Sequence, residues 1–190
     1  AAKLVGENVV AVDPLPDDAC KDRLKDNLNR GGVADNIEFH REKSWELART
    51  WDRPLRVLWI DGDHSYESAK RDLDMFLPWL NDGAIVALHD VLHEFEGPLR
   101  VFTEDMLLSC QFGAAGMCGS IGWAQFHKKT SQTNPYVSEK LQLYRKLMQL
   151  VPHVAFDGNP QGIGRIQYKF HRSMIPHGRI SPNHWLQKVA

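Results

Sequence analysis

Val57-Leu-Trp-Ile-Asp61-Gly-Asp63-His64, followed further along by Ala84-Ile-Val-Ala-Leu-His89-Asp90, is the pair of stretches that decides the fold. Each is an apolar run that ends abruptly in carboxylate and imidazole side chains. One helix-length segment separates them, so they read as neighbouring buried parallel strands whose carboxyl ends bring polar groups to one edge of a sheet. Open α/β sheets bind their ligands at that edge. Between the runs, Ser65 is placed to cap a helix on which Tyr66, Ala69, Leu73, Phe76, Leu77 and Leu80 share a face, and Asn81-Asp-Gly83 reads as its stop. Strand 84–88 follows at once, and strand, helix, strand with short connections is the pattern of a right-handed parallel crossover.

Upstream, Asn8 to Val12 reads as a strand with Asp13-Pro14 at its carboxyl end. Asp17 or Asp18 then caps a helix striped by Cys20, Leu24 and Leu28 and stopped by Gly31-Gly32. A strand at Asn36 to His40, Ser44 in a loop, a short helix over 45–51 and Pro54 lead to strand 55–60. Downstream, a helix is expected over 98–109, and Phe112 to Met117 with Ser120 to His127 form a hairpin around Cys118-Gly119 that closes the far edge of the sheet. Thr130 to Pro135 is a polar linker. Helix 137–151 carries one apolar stripe of Val137, Leu141, Tyr144, Met148 and Val151 and another of Leu143, Leu147 and Leu150. Two such faces require burial on both sides, through a subunit contact or through packing within the monomer. The tail 152–190 is rich in Gly, Pro, His and aromatic residues, with one strand expected at 165–170. Two regions result: residues 1–128, which hold the sheet, and a helical and irregular extension, 129–190, that offers an oligomerisation surface.

The composition, with 43% hydrophobic and 25% charged residues over 190 positions, is that of a globular chain. Its net charge of -1, with Lys and Arg scattered along the sequence, gives no footprint for nucleic acid or an anionic membrane, and neither is expected as a partner. No apolar stretch reaches the roughly 20 residues of a bilayer span, and no signal segment opens the chain, so it reads as soluble and cytoplasmic. Cys20, Cys110 and Cys118 are odd in number and match no zinc spacing; reduced thiols are the expectation.

The chemistry lies at the two strand ends. Asp61, His89 and Asp90 offer two carboxylates and an imidazole, a set that suits Mg²⁺ or Mn²⁺ with waters completing the shell and also admits Fe²⁺. An isolated strand-end Asp usually marks only where a strand meets water, but two adjacent strands ending in Asp-Gly-Asp-His and His-Asp concentrate such groups at one edge. His64, three residues beyond Asp61, can turn back over the site as a general base, or else serve the loop it sits in. Asp63 can orient His64 or the helix start. Asp13, at the end of an earlier strand, is where a carboxylate can accept from ribose hydroxyls. His93, Glu94 and Glu96 lie on the loop beyond the second strand, where they can meet substrate or simply face water.

Three segments, VVAVDP (9–14), VLWIDGDHSYESAKRDLDMFLPWL (57–80) and DGAIVALHDV (82–91), resemble the class I S-adenosylmethionine-dependent methyltransferases. The similarity is to the metal-dependent O-methyltransferases of macrolide sugars, mycobacterial polysaccharide sugars and catechols, and it spans about residues 1–128. It implies an α/β, Rossmann-like methyltransferase fold with a mostly parallel central sheet and a C-terminal antiparallel hairpin. By this resemblance Asp61, His89 and Asp90 bind a divalent metal, Mg²⁺ first, and His64 is the catalytic base. Asp13 holds the ribose of S-adenosylmethionine, Ser44 lies near the adenine, and Gly62 beside Asp61 lines the adenine pocket. The implied reaction is transfer of a methyl group to a hydroxyl of a sugar or other polyhydroxylated small molecule, by a homo-oligomeric enzyme. Two competing readings share the fold: a metal-dependent hydroxylase-like enzyme, and a non-catalytic binding or assembly module.

The sequence departs from that family at two places. The pair after the fifth strand is usually Asp-Asp or Asp-Asn, whereas here it is His89-Asp90, so His89 is either a ligand or a group bonded to one. The glycine-rich loop after the first strand, which cradles the methionine end of the cofactor, is absent. That strand belongs in mid-sheet between 8–12 and 55–60, and its loss would leave interior backbone groups unpaired at about 1 to 3 kcal/mol each. The expectation is therefore that Ala1 is not the natural N-terminus. The upstream strand and glycine loop would be lost, left out or supplied by another chain, with Ala1 to Val5 ending the helix that follows them.

Overall fold

In the computed structural model, described for residues 8–93, 95–129, 134–155 and 160–178, the chain divides into two compact units, Ala1–Asp52 and Arg53–Ala190. The expected Glu94 and much of the 130–135 linker fall outside the described residues, as do Ala1 to Val5 and the end of the tail. The division falls within the expected first region and not at 128/129.

In the first unit, β1 (Val9–Val12) pairs in parallel with β2 (Ile37–His40). Helix α1 (Asp18–Gly31) connects them, capped by the Asp17 carboxylate on the Cys20 N–H and ended by Gly32 in the left-handed conformation. Both ends follow from the sequence: a short acidic acceptor satisfies an orphan amide, and glycine adopts positive φ without a Cβ clash. Helix α2 (Ser44–Ala48) begins at Ser44, which therefore opens a helix instead of lying in a loop. Leu47, Ala48 and Trp51 are buried, while α1 buries no residue completely.

The second unit holds a four-stranded sheet in the order β3 (Leu55–Ile60), β4 (Leu80–Leu88), β6 (Ile121–Phe126), β5 (Phe112–Cys118). Strands β3 and β4 are parallel, as the two diagnostic runs require, and the β5–β6 hairpin adds antiparallel at the far side. The crossover helix α3 (Tyr66–Phe76) is capped by Ser65 and buries Ala69, Leu73 and Phe76. Burying each large apolar side chain of this kind contributes about 1.5 to 3 kcal/mol. The expected stop at Asn81-Asp-Gly83 is instead part of β4. While β3 advances from Leu55 to Val57, β4 advances from Leu80 to Ile85, so these turn-forming residues are absorbed in an irregularity with Gly83 at φ 81°. The diagnostic run in β3 is buried on one face only: Ile60 is buried, but Val57 and Trp59 are 60% and 52% exposed. Within its sheet β3 is an edge strand.

Helix α4 (Glu96–Arg100) continues as a π-helical segment, Val101–Leu107. Its Phe102 ring lies flat on Gly122 of β6, where any Cβ would come within 2.9 Å of the ring. Helix α5 (Val137–Met148) buries Leu143 and Leu147, the second of its two expected stripes, but leaves Val137 and Leu141 exposed. The expected single helix 137–151 breaks after Met148, and α6 (Val151–Ala155) follows as a separate turn. The expected strand at 165–170 is incorrect. Ile166, Tyr168 and Phe170 fit the period of two, but these residues belong to α7 (Gly162–Ser173), with the Tyr168 hydroxyl donating to the Leu92 carbonyl while Ile166 and Phe170 face solvent. The core joins Ile60, Leu73, Leu80, Val86 and Leu88 to Phe102, Leu147 and Ile175, so the C-terminal elements complete the interior of this unit.

Candidate metal and proton-transfer site

The pairing of β3 with β4 runs on to the site itself, because the His89 N–H donates to the Ile60 carbonyl at 2.9 Å. Asp61 therefore leaves β3 beside the point where His89 and Asp90 leave β4. Asp90 has φ 57°, a left-handed conformation that carboxamides and aspartate tolerate better than most side chains. The chain is held there from both sides: Val91 N–H donates to Ser120 O, His93 N–H donates to Asp90 O, and Val91 and Leu92 are buried. A non-glycine residue fixed in this region by its surroundings is characteristic of a functional turn.

His89 Nδ1 lies 3.3 Å from Asp61 Oδ1 and 3.0 Å from Asp90 Oδ1, and His64 Nε2 lies 3.3 Å from Asp90 Oδ2. One ligand atom each from Asp61, His64 and Asp90 fall within 4.8 Å of one another. The structure thus brings together the expected metal residues Asp61, His89 and Asp90 with the expected base His64. His64 Nε2 and His89 Nδ1 are both hidden from solvent, and neither makes an aligned hydrogen bond. Buried polar atoms normally find partners, and two orphaned imidazole nitrogens facing two carboxylates form a donor set that fits a divalent cation.

The His64 ring stacks on Phe95 at 4.0 Å with 5° between planes, and Phe95 stacks in turn on His93 at 5.0 Å. Gly97 lets α4 approach the His64 loop, for a Cβ there would lie 2.2 Å from the His64 carbonyl oxygen. Asp63 serves the helix start: its Oδ1 accepts from the Ser65 hydroxyl and the Ser65 N–H. Those hydrogen bonds hold its carboxyl below the ordinary value of 3.8. The loop carrying the imidazole is thereby pinned at both ends of His64. Phe95 and Gly97 were missed in the sequence. An aromatic residue flanked by Glu94 and Glu96 and followed by Gly97-Pro98 was the available signal.

Asp13 donates its backbone N–H to His40 O and accepts from Leu15 N–H through Oδ1, forming a tight turn at the end of β1. Ser44 is the first residue of α2. Both belong to the first unit, whereas Asp61 and Gly62 belong to the second. Glu96 pairs with Arg100 on its own helix, and His93 is exposed. Elsewhere His40 sits between Glu38 and Glu42, and the His153 and His171 rings stack at 5.9 Å.

Residues 1–91 match a family described as a methyltransferase domain, and the fold is that of the Rossmann-like methyltransferases. An O-methyltransferase from Bacillus cereus, solved in complex with SAH, superposes with a TM-score of 0.50 at 17% identity over 63% of this chain and 63% of its own. A methyltransferase from Geobacter sulfurreducens gives a TM-score of 0.49 at 16% identity, covering 64% of this chain and 59% of that one. Uncharacterized protein R132 of Acanthamoeba polyphaga mimivirus is 24% identical over 90 residues, 44% of this chain. The chain spans 41% of that relative's length. Among the described residues, no helix is long and apolar enough to cross a membrane.

Proposed function

We propose that this chain is an S-adenosylmethionine-dependent O-methyltransferase that uses a divalent cation and acts on a hydroxyl of a sugar or other polyhydroxylated small molecule. The methyltransferase-domain match and the fold support methyl transfer. The observation that carries the metal-dependent reading is the convergence of Asp61, His64, His89 and Asp90 with two orphaned imidazole nitrogens.

In this proposal Asp61, His89 and Asp90 hold the cation, which when bound would polarise an acceptor hydroxyl. S-adenosylmethionine would supply the methyl group as a sulfonium. Asp13 would engage its ribose, with Ser44 of the same unit toward the adenine. His64 takes the proton from the acceptor hydroxyl. The Phe95 ring fixes the plane of its imidazole, and the Asp90 carboxylate facing Nε2 stabilises the imidazolium that results. A second assignment, favoured by the closeness of the Asp61, His64 and Asp90 ligand atoms, makes His64 the nitrogen ligand.

Calorimetric titration of Mn²⁺ into His64→Ala and His89→Ala, together with labelled methyl transfer, separates the assignments. With His64 as base, His64→Ala retains Mn²⁺ affinity while turnover falls about 10²- to 10⁴-fold, and His89→Ala loses affinity. Loss of Mn²⁺ binding in His64→Ala alone establishes the second assignment.

A further inference from the structure

Next to the Asp90 turn lies a cleft of about 650 Å³ that the proposed reaction has not used. Its walls come from four places in the second unit: His93 of the loop beyond Asp90, the β5–β6 turn at Gly119 and Ser120, the end of α7 at Arg172 and Ser173, and residues 175–178. This volume is in the range of small-molecule sites. The turn is tied to both sides, since Ser120 O accepts from Val91 N–H and Gly119 N–H donates to His177 O. His93, which lines the cleft, stacks on Phe95, and Phe95 stacks in turn on His64.

The lining has one sign of charge. Among the described residues, Arg172 is its fixed cation, His93 and His177 are its imidazoles, and no acidic residue contributes to it. Arg172 borders the cleft and makes no ion pair among the described residues, and its Nε, buried behind the cleft wall, has no hydrogen-bond partner there, so the guanidinium is not committed to a group of the protein. A guanidinium N–H removed from water and left unbonded is costly, and the group that satisfies a guanidinium best is a two-oxygen anion presented edge-on. The Ser120 hydroxyl supplies a further donor on the same wall. Lysine-like point charge would not need this geometry; arginine's planar fork does.

We propose that this cleft binds an anionic group, phosphoryl or carboxylate, carried by the methyl acceptor, so that the substrate class is an acidic or phosphorylated sugar and not a neutral one. The acceptor's role rests on the methyltransferase reading, whereas the anion site itself does not.

The test has two arms. Inorganic pyrophosphate and, separately, succinate are titrated calorimetrically into the wild-type chain, Arg172→Gln and Ser120→Ala, with circular dichroism confirming that each variant is folded. Saturable binding of either probe is expected, weakened about 10- to 100-fold in Arg172→Gln, as for loss of a charge-assisted hydrogen bond. The stronger probe identifies the anion as phosphoryl or carboxylate. If Arg172→Gln does not fold, the same reading is taken from Ser120→Ala, in which a severalfold weakening is expected. Absence of saturable binding by both probes, or binding unchanged in both variants, overturns the site. In the second arm, labelled methyl transfer compares a sugar phosphate and a uronic acid with the neutral parent sugar. A lower KM for the anionic acceptors that is lost in Arg172→Gln supports the assignment. Methyl transfer with equal KM for all three and no effect of Arg172→Gln overturns it while leaving the methyltransferase reading intact. Probe binding through Arg172 without methyl transfer to any acceptor retains the anion site and overturns the reaction.

Discussion

Asp90 combines two demands that few side chains meet together: a carboxylate at the strand end and a backbone at φ 57°. Asp90→Asn retains the left-handed conformation but removes the charge. It is expected to melt within a few degrees of the wild type and to lose most of its cation affinity, read by calorimetry. Asp90→Val should instead lose stability as well, by about 1 to 2 kcal/mol from the left-handed backbone alone, which a denaturant titration would show. Gly97 is the second position where one atom decides. Its missing Cβ is what admits the His64 carbonyl, so Gly97→Ala should destabilise the chain by about 1 to 3 kcal/mol through overpacking. Turnover should fall with it, because the imidazole moves with its backbone. The convergence of Asp61, His64, His89 and Asp90 was readable from sequence, since they stand at the ends of two apolar runs. Phe95, Gly97 and Arg172 were not, because a stacking partner, a missing atom and an orphaned donor are relations in space that leave no periodic trace.

At the scale of elements, the β3–α3–β4 crossover was legible because capping, stripe and strand signals agreed, and the structure reproduces the Ser65 cap and the Leu73 face. Disagreement arose where two periods fitted one segment. Residues 165–170 alternate like a strand, but helix α7 satisfies Tyr168 through the Leu92 carbonyl, a long-range bond invisible to local pattern. Turn formers at 81–83 likewise mark an irregularity in β4 instead of a helix stop. The start of α3 also carries a pH dependence. Asp63 is ionised and bonded to Ser65 in the fold, with its carboxyl held below 3.8, so its contribution is present above that value and is lost as pH falls through the lower folded value. Asp63→Asn should therefore unfold more easily at pH 7, by about 1 kcal/mol, and the difference from wild type should disappear in strong acid. Equal stability of the two at pH 7 would remove this account of the loop. In α5, Leu147 is fully buried, and Leu147→Ala is expected to cost about 2 to 5 kcal/mol in denaturant melts.

For the whole molecule, the two units differ in how much they bury. The first buries Leu47, Ala48 and Trp51 but nothing on α1, β1 or β2, whereas the second has the large core around Leu80, Val86, Phe102 and Leu147. Amides of β1 and β2 should consequently exchange with solvent at a lower opening free energy than those of β4 and β6, measured by hydrogen exchange. The strands form two separate sheets, β1–β2 in the first unit and β3–β4–β6–β5 in the second. The local sequence pattern gave no reason to divide the chain at Asp52, because the division rests on contacts between elements and not on any composition shift at that residue. The central claim concerns the second unit: a cation held by Asp61, His89 and Asp90 is required for methyl transfer. Labelled methyl transfer from S-adenosylmethionine to polyhydroxylated acceptors, measured before chelation, after chelation and after Mn²⁺ or Mg²⁺ is restored, tests it most directly. The account predicts transfer that stops on chelation, returns with the cation and stays absent in Asp61→Asn; transfer undiminished by chelation, or equal in Asp61→Asn, would contradict it.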